Sequence, residues 1–428
     1  MSSSRPELLT QQMLRGLAAF AVVLYHASLT SSGVPGVGYL FPEFVKQGYA
    51  GVDVFFCLSG FIIFHAHRED LGRRQALPLF LMKRFVRIYP IYWVVTMLVL
   101  ATGLWVPRVV GGGLPAPGYV LQSLLLIPQG REPLVTVAWT LIHELRFYVL
   151  FCVALLLPPR LSARAAVGFF LLSLGTLCLD SLRPTFFQQV PGARLFLFLF
   201  HPSNLHFTLG VLASFILSRV RTSAPLDGAV LGGGVLSMTA AVLLHDRLAP
   251  PGLKYHAALF YAVPSFLLVL GLALVERRWR PRIPRPLVQL GNASYSLYLI
   301  HWPLLVLLVP AVFQVLDTTG ARMLALWGLV AVAVGAGVVL YVAVERPLLA
   351  FMRGHLLRWV PGKARVQPGI QPGPVHRGAR RAGSHFGMSG IGGEVDGGDV
   401  AAGDWRRGAA RGDGPRASGA GRVPLPPG

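Results

Sequence analysis

Two polar side chains interrupt the first long apolar stretch of the sequence, LRGLAAFAVVLYHASL at residues 14–29. Arg15 lies at its start and His26 lies well inside it. A charge or an imidazole within lipid costs free energy, so each needs a reason to be there. The eleven-residue step is close to three helical turns, which places both side chains on one face, about 16 Å apart along the axis. A histidine at that depth suits a general base. From spacing alone, an interfacial arginine and a hydrogen-bonded core histidine explain the pair equally well.

A second chemical candidate is the arginine pair in KRFVRIYPIYWVV, residues 83–95. Arg84 and Arg87 are three residues apart and share a helical face at the start of a further apolar segment. Two guanidinium groups so placed suit a polyphosphate or another anion. The alternative is a positively charged membrane anchor followed by a belt of aromatic side chains.

A third candidate is Glu144, in the apolar stretch VAWTLIHELRFYVLF at residues 137–151, where His143 and Arg146 flank it. A glutamate within a membrane span is costly unless it is paired or hydrogen-bonded. It could orient a histidine or act as a base. An internal ion pair with Arg146 or His143 that joins two helices is the alternative.

Two further stretches carry polar residues on apolar helices. In GNASYSLYLIHWPLL, residues 291–305, the residues Ser294, Tyr298 and His301 follow i, i+4, i+7 spacing and line one face. Hydrogen bonding between helices explains this stripe at least as well as catalysis does. In GYAGVDVFFCLSGFII, residues 48–63, we expect Asp53 to satisfy backbone N–H groups at a helix start.

The composition determines which elements must position these groups. The chain has 428 residues, 54% of them hydrophobic and only 13% charged, with a mean hydropathy of +0.57. A soluble domain carries about 25% charged residues, so the chain is an integral membrane protein. The net charge of +21 does not indicate nucleic-acid binding, because the basic residues lie in short loops and in the tail. The three cysteines lie inside apolar segments and show no zinc or disulfide spacing, and we expect no metal site.

Ten apolar segments are long enough to span a bilayer at about 20 residues each, which predicts an all-α membrane protein. They are 13–31, 49–67, 88–106, 137–157, 164–180, 197–218, 228–244, 256–275, 293–313 and 323–344. The segment 119–127 is too short to span, and an interfacial position is expected for it. The sixth segment contains FHPSNLHF, whose Pro202 and polar residues predict a broken or re-entrant start.

The loop charges predict the orientation. Lys and Arg concentrate in the loops on the N-terminal side, which places both termini in the cytoplasm and the chain in the cell (inner) membrane. No cleavable signal peptide is evident, and the first span is expected to be retained. The sequence therefore divides into a membrane domain over residues 10–350 and a tail over 355–428. The tail is rich in Gly, Pro and Arg, which predicts disorder.

Taken in order, the motifs resemble the acyltransferase-3 family of membrane O-acyltransferases. The resemblance covers about residues 10–350, and five or six weak elements in family order make it specific. The matching elements are LRGLAAFAVVLYHA, GVDVFFCLSGFII, KRFVRIYPIYW, WTLIHELRFY, NASYSLYLIHWP and VERPL at residues 344–348.

This resemblance implies a ten-helix core, specific site residues and an acyl-coenzyme A donor, which is acetyl-CoA in the commonest case. Arg15 and His26 match the family's Arg-x10-His pair, and Arg84 and Arg87 match its basic pair. Glu144 matches an acidic residue of the fourth-span element approximately. Some members carry an additional extracytoplasmic hydrolase-like domain, and no such domain is seen in this sequence.

The implied function is transfer of an acyl group, most often acetyl, from acyl-CoA to a hydroxyl of a carbohydrate or glycolipid at the membrane. His26 would act as the base, with Glu144 or another polar group holding its tautomer. Arg84 and Arg87 would hold the coenzyme phosphates, with Arg15 assisting. The expected partners are the lipid bilayer and a carbohydrate or other hydroxyl acceptor, with no nucleic acid. A multi-span transporter of a polar metabolite is the alternative, since intramembrane His, Glu and Arg also mark substrate paths.

Overall fold

The computed structural model describes residues 8–106, 113, 115–183, 193–248 and 256–355, and these form helices and connecting loops without a strand. Ten helical segments within the described residues are long and apolar enough to cross a membrane. The predicted all-α membrane fold with ten spans is therefore confirmed. The tail predicted to be disordered lies outside the described residues, apart from its first residue.

Fourteen α-helices build the described part of the chain. They are α1 (Leu9–Ser32), α2 (Ala50–His67), α3 (Leu77–Trp105), α4 (Pro117–Leu124), α5 (Trp139–Leu156), α6 (Pro159–Leu182), α7 (Ala193–Leu199), α8 (Ser203–Arg219), α9 (Ala224–Leu248), α10 (His256–Trp279), α11 (Arg285–Asn292), α12 (Ser294–Phe313), α13 (Thr319–Leu340) and α14 (Arg346–His355). A π-helical turn, Tyr341–Glu345, joins the last two. Helix α1 packs against α2, α11 and α12, so it lies inside the bundle.

A carboxylate from another helix caps the start of α1. Glu276 of α10 accepts hydrogen bonds from the backbone N–H groups of Leu9 and Thr10 at 2.6 and 2.9 Å, and from the Thr10 hydroxyl at 2.5 Å. The first N–H groups of a helix have no partner within it, and a negative charge at that end is favourable. Glu276 thereby fixes the height and position of α1 relative to α10.

Glycines bring α2 and α8 to backbone contact. A Cβ at Gly60 would collide with the carbonyl group of Phe207, and a Cβ at Gly210 would collide with that of Cys57. Close approach at small residues is how membrane helices gain packing energy without a hydrophobic force between them. This contact holds α8 against the helix that carries Asp53. Helix α2 itself begins at Ala50 without a side-chain cap, which differs from the expectation for Asp53.

Side chains of α3 are hydrogen-bonded to the end of the short helix α4. Tyr92 donates its hydroxyl proton to the carbonyl of Ser123 at 2.6 Å, and the Trp93 indole donates to that of Leu124 at 2.9 Å. These donors are 12 to 13 residues, about 20 Å, from the end of α3 at Trp105. Aromatic donors of α3 thus satisfy two carbonyl groups at the end of α4. The interfacial position expected for this segment stays a prediction.

The sixth span is broken, as the sequence predicted. Helix α7 ends at Leu199 and α8 begins at Ser203. Arg146 of α5 bridges the break by donating to the carbonyl of Phe198 and, at 2.9 Å, to the hydroxyl of Ser203. The carbonyl group of Phe198 thus has a partner on a neighbouring helix, as the end of a broken helix requires.

Candidate active site

The centre of the candidate site is a pair of histidines on α1 and α12. Nδ1 of His26 lies 2.8 Å from Nε2 of His301. The other ring nitrogen of His301, Nδ1, lies 3.0 Å from the carbonyl oxygen of Leu297. A carbonyl only accepts, so Nδ1 of His301 carries its proton and Nε2 is left to accept from His26. His26 is consequently protonated at Nδ1, and its Nε2 lone pair is the basic position.

Aromatic rings hold His26 in place. The rings of Tyr25 and Trp302 each lie with their centroids 4.8 Å from the imidazole, and the Trp302 ring meets it edge-on. His301 is fully buried, whereas His26 is half-buried. The pair therefore consists of an inner histidine that fixes a tautomer and an outer histidine that a substrate can reach.

Arg15 lies three helical turns from His26, as the spacing predicted. It donates to Oε1 of Gln12 at 3.5 Å, which is a long hydrogen bond. Its charge interacts with those of Arg87, Glu144 and Glu345. The α1 arginine thus belongs to a group of charges contributed by α3, α5 and the π-helical turn, which we call the basic cluster: Arg15, Arg84, Arg87, Glu144 and Glu345.

The two arginines of α3 have different partners in this cluster. Arg87 forms an ion pair of 2.8 Å with Oε1 of Glu345, whose side chain is only 1% exposed. The second oxygen, Oε2 of Glu345, accepts from the Ser296 hydroxyl at 2.6 Å. Arg84 instead lies over the ring of Tyr148, 5.6 Å from its centroid, and its buried Nε has no hydrogen-bond partner within the described residues. Arg87 is paired with a carboxylate, whereas Arg84 has no carboxylate partner within the described residues.

Glu144 lies in the basic cluster and not at the histidine pair. Its Oε1 accepts from the hydroxyl of Ser59 at 3.0 Å and from that of Tyr148. Arg146 donates elsewhere, across the break in the sixth span, so the ion pair weighed from the sequence is not formed. The group hydrogen-bonded to Nδ1 of His26 is His301, for which the sequence left interhelical hydrogen bonding and catalysis both open.

Glu345 belongs to the motif VERPL, to which no role was assigned from the sequence. The available signal was an acidic residue at the end of an apolar helix, because a buried carboxylate needs a basic partner. The π-helical turn Tyr341–Glu345 ends on this residue, and such turns are frequent at functional sites.

A second group of polar residues lies between α2, α5 and α8, apart from the histidine pair. The rings of His143 and His201 have centroids 4.4 Å apart, and Nε2 of buried His206 lies 3.3 Å from Oδ1 of Asp53. In the described part of the chain, no three His, Cys, Asp or Glu side chains are grouped so that they could hold a metal ion. We assign these residues to helix packing.

Comparison with known proteins adds to this geometry. The sequence model of a family described as "Acyltransferase domain" matches residues 12–344. The exopolysaccharide production protein ExoZ of Rhizobium meliloti is 29% identical over 334 residues, which cover 74% of this chain and 94% of ExoZ. The acyltransferase MdmB of Streptomyces mycarofaciens is 28% identical over 79% of this chain and 91% of MdmB. The peptidoglycan O-acetyltransferase OatA of Listeria monocytogenes is 24% identical over 69% of this chain and 49% of OatA. No solved structure matches the chain.

Proposed function

This chain belongs to the acyltransferase family whose domain spans residues 12–344, and we propose that it transfers an acyl group, most often acetyl, from acyl-CoA to a carbohydrate hydroxyl. Family membership makes it a membrane O-acyltransferase and removes the basis for the transporter alternative. The proposal concerns the identity of the donor, of the acyl group and of the acceptor. The names of two relatives, an exopolysaccharide production protein and a peptidoglycan O-acetyltransferase, support a carbohydrate or glycolipid acceptor.

The observation that carries the proposal is the hydrogen bond between His26 and His301. With Nδ1 of His26 donating to His301, Nε2 of His26 takes the proton from the acceptor hydroxyl as its oxygen attacks the thioester carbonyl. The tetrahedral intermediate then collapses, the C–S bond breaks, and the coenzyme A thiolate takes that proton from His26. The products are an ester and free coenzyme A, and His26 returns to its starting state.

The donor would bind at the basic cluster. The phosphates of coenzyme A are polyanionic, and guanidinium groups match phosphate oxygens in pairs. Arg84 supports this role because its buried Nε lacks a partner among the described residues, and Arg87 supports it because it lies beside Arg84. The extended pantetheine arm would carry the thioester along α1 from this cluster to His26, with Arg15 helping to hold the donor or the negative charge that develops.

Glu144 would act on the arginines and not on His26. Its oxygen is hydrogen-bonded to Ser59 and Tyr148, and its charge interacts with Arg15 and Arg87. A fixed carboxylate at this position limits repulsion between the guanidinium groups before the donor binds. It is therefore a positioning residue in this scheme.

The donor would reach the site from the cytoplasm. Ten crossings leave both ends of the membrane domain on one side, and the loop arginines favour the cytoplasmic side of the inner membrane. The basic cluster lies toward that end of α1, and His26 lies toward the other.

Purified protein in nanodiscs tests the proposal directly. With acetyl-CoA and a carbohydrate acceptor, mass spectrometry should detect an acetylated sugar, and a thiol reagent should detect an equal amount of free coenzyme A. Acetylated product without coenzyme A release would contradict the proposed donor. Release without sugar product would contradict the proposed acceptor.

A further inference from the structure

A cavity of about 250 Å³ lies at the end of α1 opposite to the basic cluster. Tyr25 and Ser28 of α1 form one wall, and residues from the loop before α2 and from the end of α9 form the others. Pockets for drug-sized ligands measure about 300–1,000 Å³, so this cavity fits a single small unit and not a long chain. The catalytic scheme above does not use it.

Polar groups in the cavity are held in fixed orientations. Gln47 donates to Oδ1 of Asp246 at 2.9 Å, and the Tyr49 hydroxyl lies 3.2 Å from Nε2 of His245. The hydroxyl of Ser28 is buried and has no hydrogen-bond partner within the described residues. Buried polar groups are normally hydrogen-bonded, so the Ser28 hydroxyl is available to form a hydrogen bond with a ligand. Such a wall can both donate to and accept from a ligand rich in hydroxyl groups.

Tyrosine rings supply the apolar part of the lining. Tyr25, Tyr39 and Tyr49 all face the cavity, and the ring centroids of Tyr25 and Tyr49 are 5.7 Å apart. Tyr39 lies in the connection between α1 and α2, and 51% of its side chain is exposed. The negative face of an aromatic ring attracts the polarised C–H groups on the face of a sugar. The ring of Tyr25 also contacts His26, so one side chain separates the cavity from the histidine pair.

The charges of the cavity argue against an anionic ligand. Lys46 lies 2.8 Å from Oε1 of Glu43 and 4.2 Å above the ring of Tyr39, so its charge is already partnered. Asp246 adds a negative charge to the lining. The basic cluster at the other end of α1 holds three arginines against two glutamates. A phosphate therefore belongs at that end, and an uncharged polyhydroxy ligand belongs in the cavity.

From these observations we infer that the cavity is the acceptor subsite and holds one uncharged sugar unit, with its reactive hydroxyl directed past Tyr25 toward His26. The direction of the reactive hydroxyl toward His26 rests on the proposed function. The binding of a sugar in the cavity rests on the lining alone. Tyr39 and Asp246 are then specificity-determining residues for the acceptor.

Two readouts on the full-length protein in nanodiscs test this inference. The first is saturation-transfer NMR of methyl β-glucoside, methyl β-galactoside and glucose 6-phosphate without donor. The second is acetyl transfer from acetyl-CoA to the same sugars. Tyr39→Ala and Asp246→Asn should each weaken sugar binding and raise the acceptor KM by about tenfold or more, with the KM for acetyl-CoA unchanged. Phe44→Ala is the matched control, because Phe44 is equally exposed on the same loop but lies outside the lining.

The outcomes distinguish failure of the sugar subsite from failure of the proposed acyl-transfer function. Uncharged sugars that bind wild type and Phe44→Ala but not Tyr39→Ala support the subsite. Absent binding, equal binding by Tyr39→Ala, or tighter binding of glucose 6-phosphate than of the uncharged sugars overturns it, whatever the transfer assay shows. Intact sugar binding without any transfer from acetyl-CoA overturns the proposed function and leaves the subsite standing.

Discussion

Nδ1 of His26 lies 2.8 Å from Nε2 of His301, and the second ring nitrogen of His301 faces the Leu297 carbonyl at 3.0 Å. This chain of hydrogen bonds has one direction, because its last member can only accept. The backbone of α12 therefore sets the protonation of a side chain on α1. This relationship gives the fully buried His301 a positioning role, because it leaves Nε2 of His26 free to take a proton.

Replacement of His301 should reduce the rate of transfer without affecting donor binding. In His301→Ala the Nδ1 proton of His26 loses its acceptor, and the productive tautomer is no longer favoured. General-base catalysis contributes about 10²–10⁴-fold, and we expect kcat to fall at least tenfold with an unchanged KM for acyl-CoA. His301→Gln retains an acceptor oxygen and should recover part of the rate. Equal kcat values for His301→Ala and wild type in steady-state assays would remove the positioning role.

The two arginines of α3 should respond differently to substitution. Arg84→Ala removes a guanidinium with a spare donor, so the KM for acyl-CoA should rise while the thermal stability changes little. Thioesters of dephospho-CoA lack one phosphate and provide the comparison. Arg84→Ala should raise the KM for these thioesters less than it raises the KM for acyl-CoA. If Arg84→Ala leaves the KM for acyl-CoA unchanged, the basic cluster is not the donor site.

Glu345→Gln should act mainly on stability. It breaks a buried ion pair and leaves the charge of Arg87 uncompensated, which costs about 3–5 kcal/mol of folding free energy. Unfolding in mixed micelles measures the loss. The surface pair of Glu43 and Lys46 provides the comparison, since Glu43→Gln removes a solvent-exposed partner and should change the stability far less. Equal losses in the two variants would contradict the buried pairing of Glu345.

The cap on α1 should contribute measurable stability. Glu276→Gln removes the negative charge and one of two acceptor oxygens that bind the N–H groups of Leu9 and Thr10, so about 1 kcal/mol should be lost. Circular dichroism during thermal unfolding in detergent reports this change. A variant as stable as wild type would show that the start of α1 needs no partner from α10.

The contact between α2 and α8 should tolerate no added methyl group. In Gly210→Ala the new Cβ meets the backbone of Cys57, and overpacking of this kind costs about 1–3 kcal/mol. Gly232→Ala on α9 is the matched control, because its Cβ would meet open space. That change should be neutral or stabilising, since glycine within a helix costs about 0.5–1 kcal/mol relative to alanine. Similar melting temperatures for the two variants would contradict the close helix contact.

Hydropathy alone predicted the ten spans because burial in lipid imposes long apolar runs that appear directly in the sequence. The break before Ser203 was equally visible, since Pro202 and neighbouring polar residues cannot continue an apolar helix. The contact between α3 and the end of α4 was not visible. It depends on hydrogen bonds from Tyr92 and Trp93, which the sequence presents as an ordinary aromatic belt.

Spacing within one helix also predicted that Arg15 and His26 share a face, because helical geometry fixes that relationship locally. This spacing could not identify partners on other helices. Nothing in the local pattern states that His26 meets His301, 275 residues away, or that Arg87 meets Glu345, 258 residues away. Glu144 illustrates the same limit, since its neighbours in sequence suggested a pair with Arg146 and the bundle gave it Ser59 and Tyr148 instead.

The most direct test of the account is a single-turnover assay of His26→Ala beside wild type, with acetyl-CoA, a carbohydrate acceptor and product analysis by mass spectrometry. The variant should fold, insert and bind acetyl-CoA as wild type does, because His26 lies about 16 Å along α1 from Arg15 of the basic cluster. Acetylated sugar should be absent. Acetylated sugar formed by His26→Ala at the wild-type rate would show that another group takes the hydroxyl proton and would contradict the proposed role of the histidine pair.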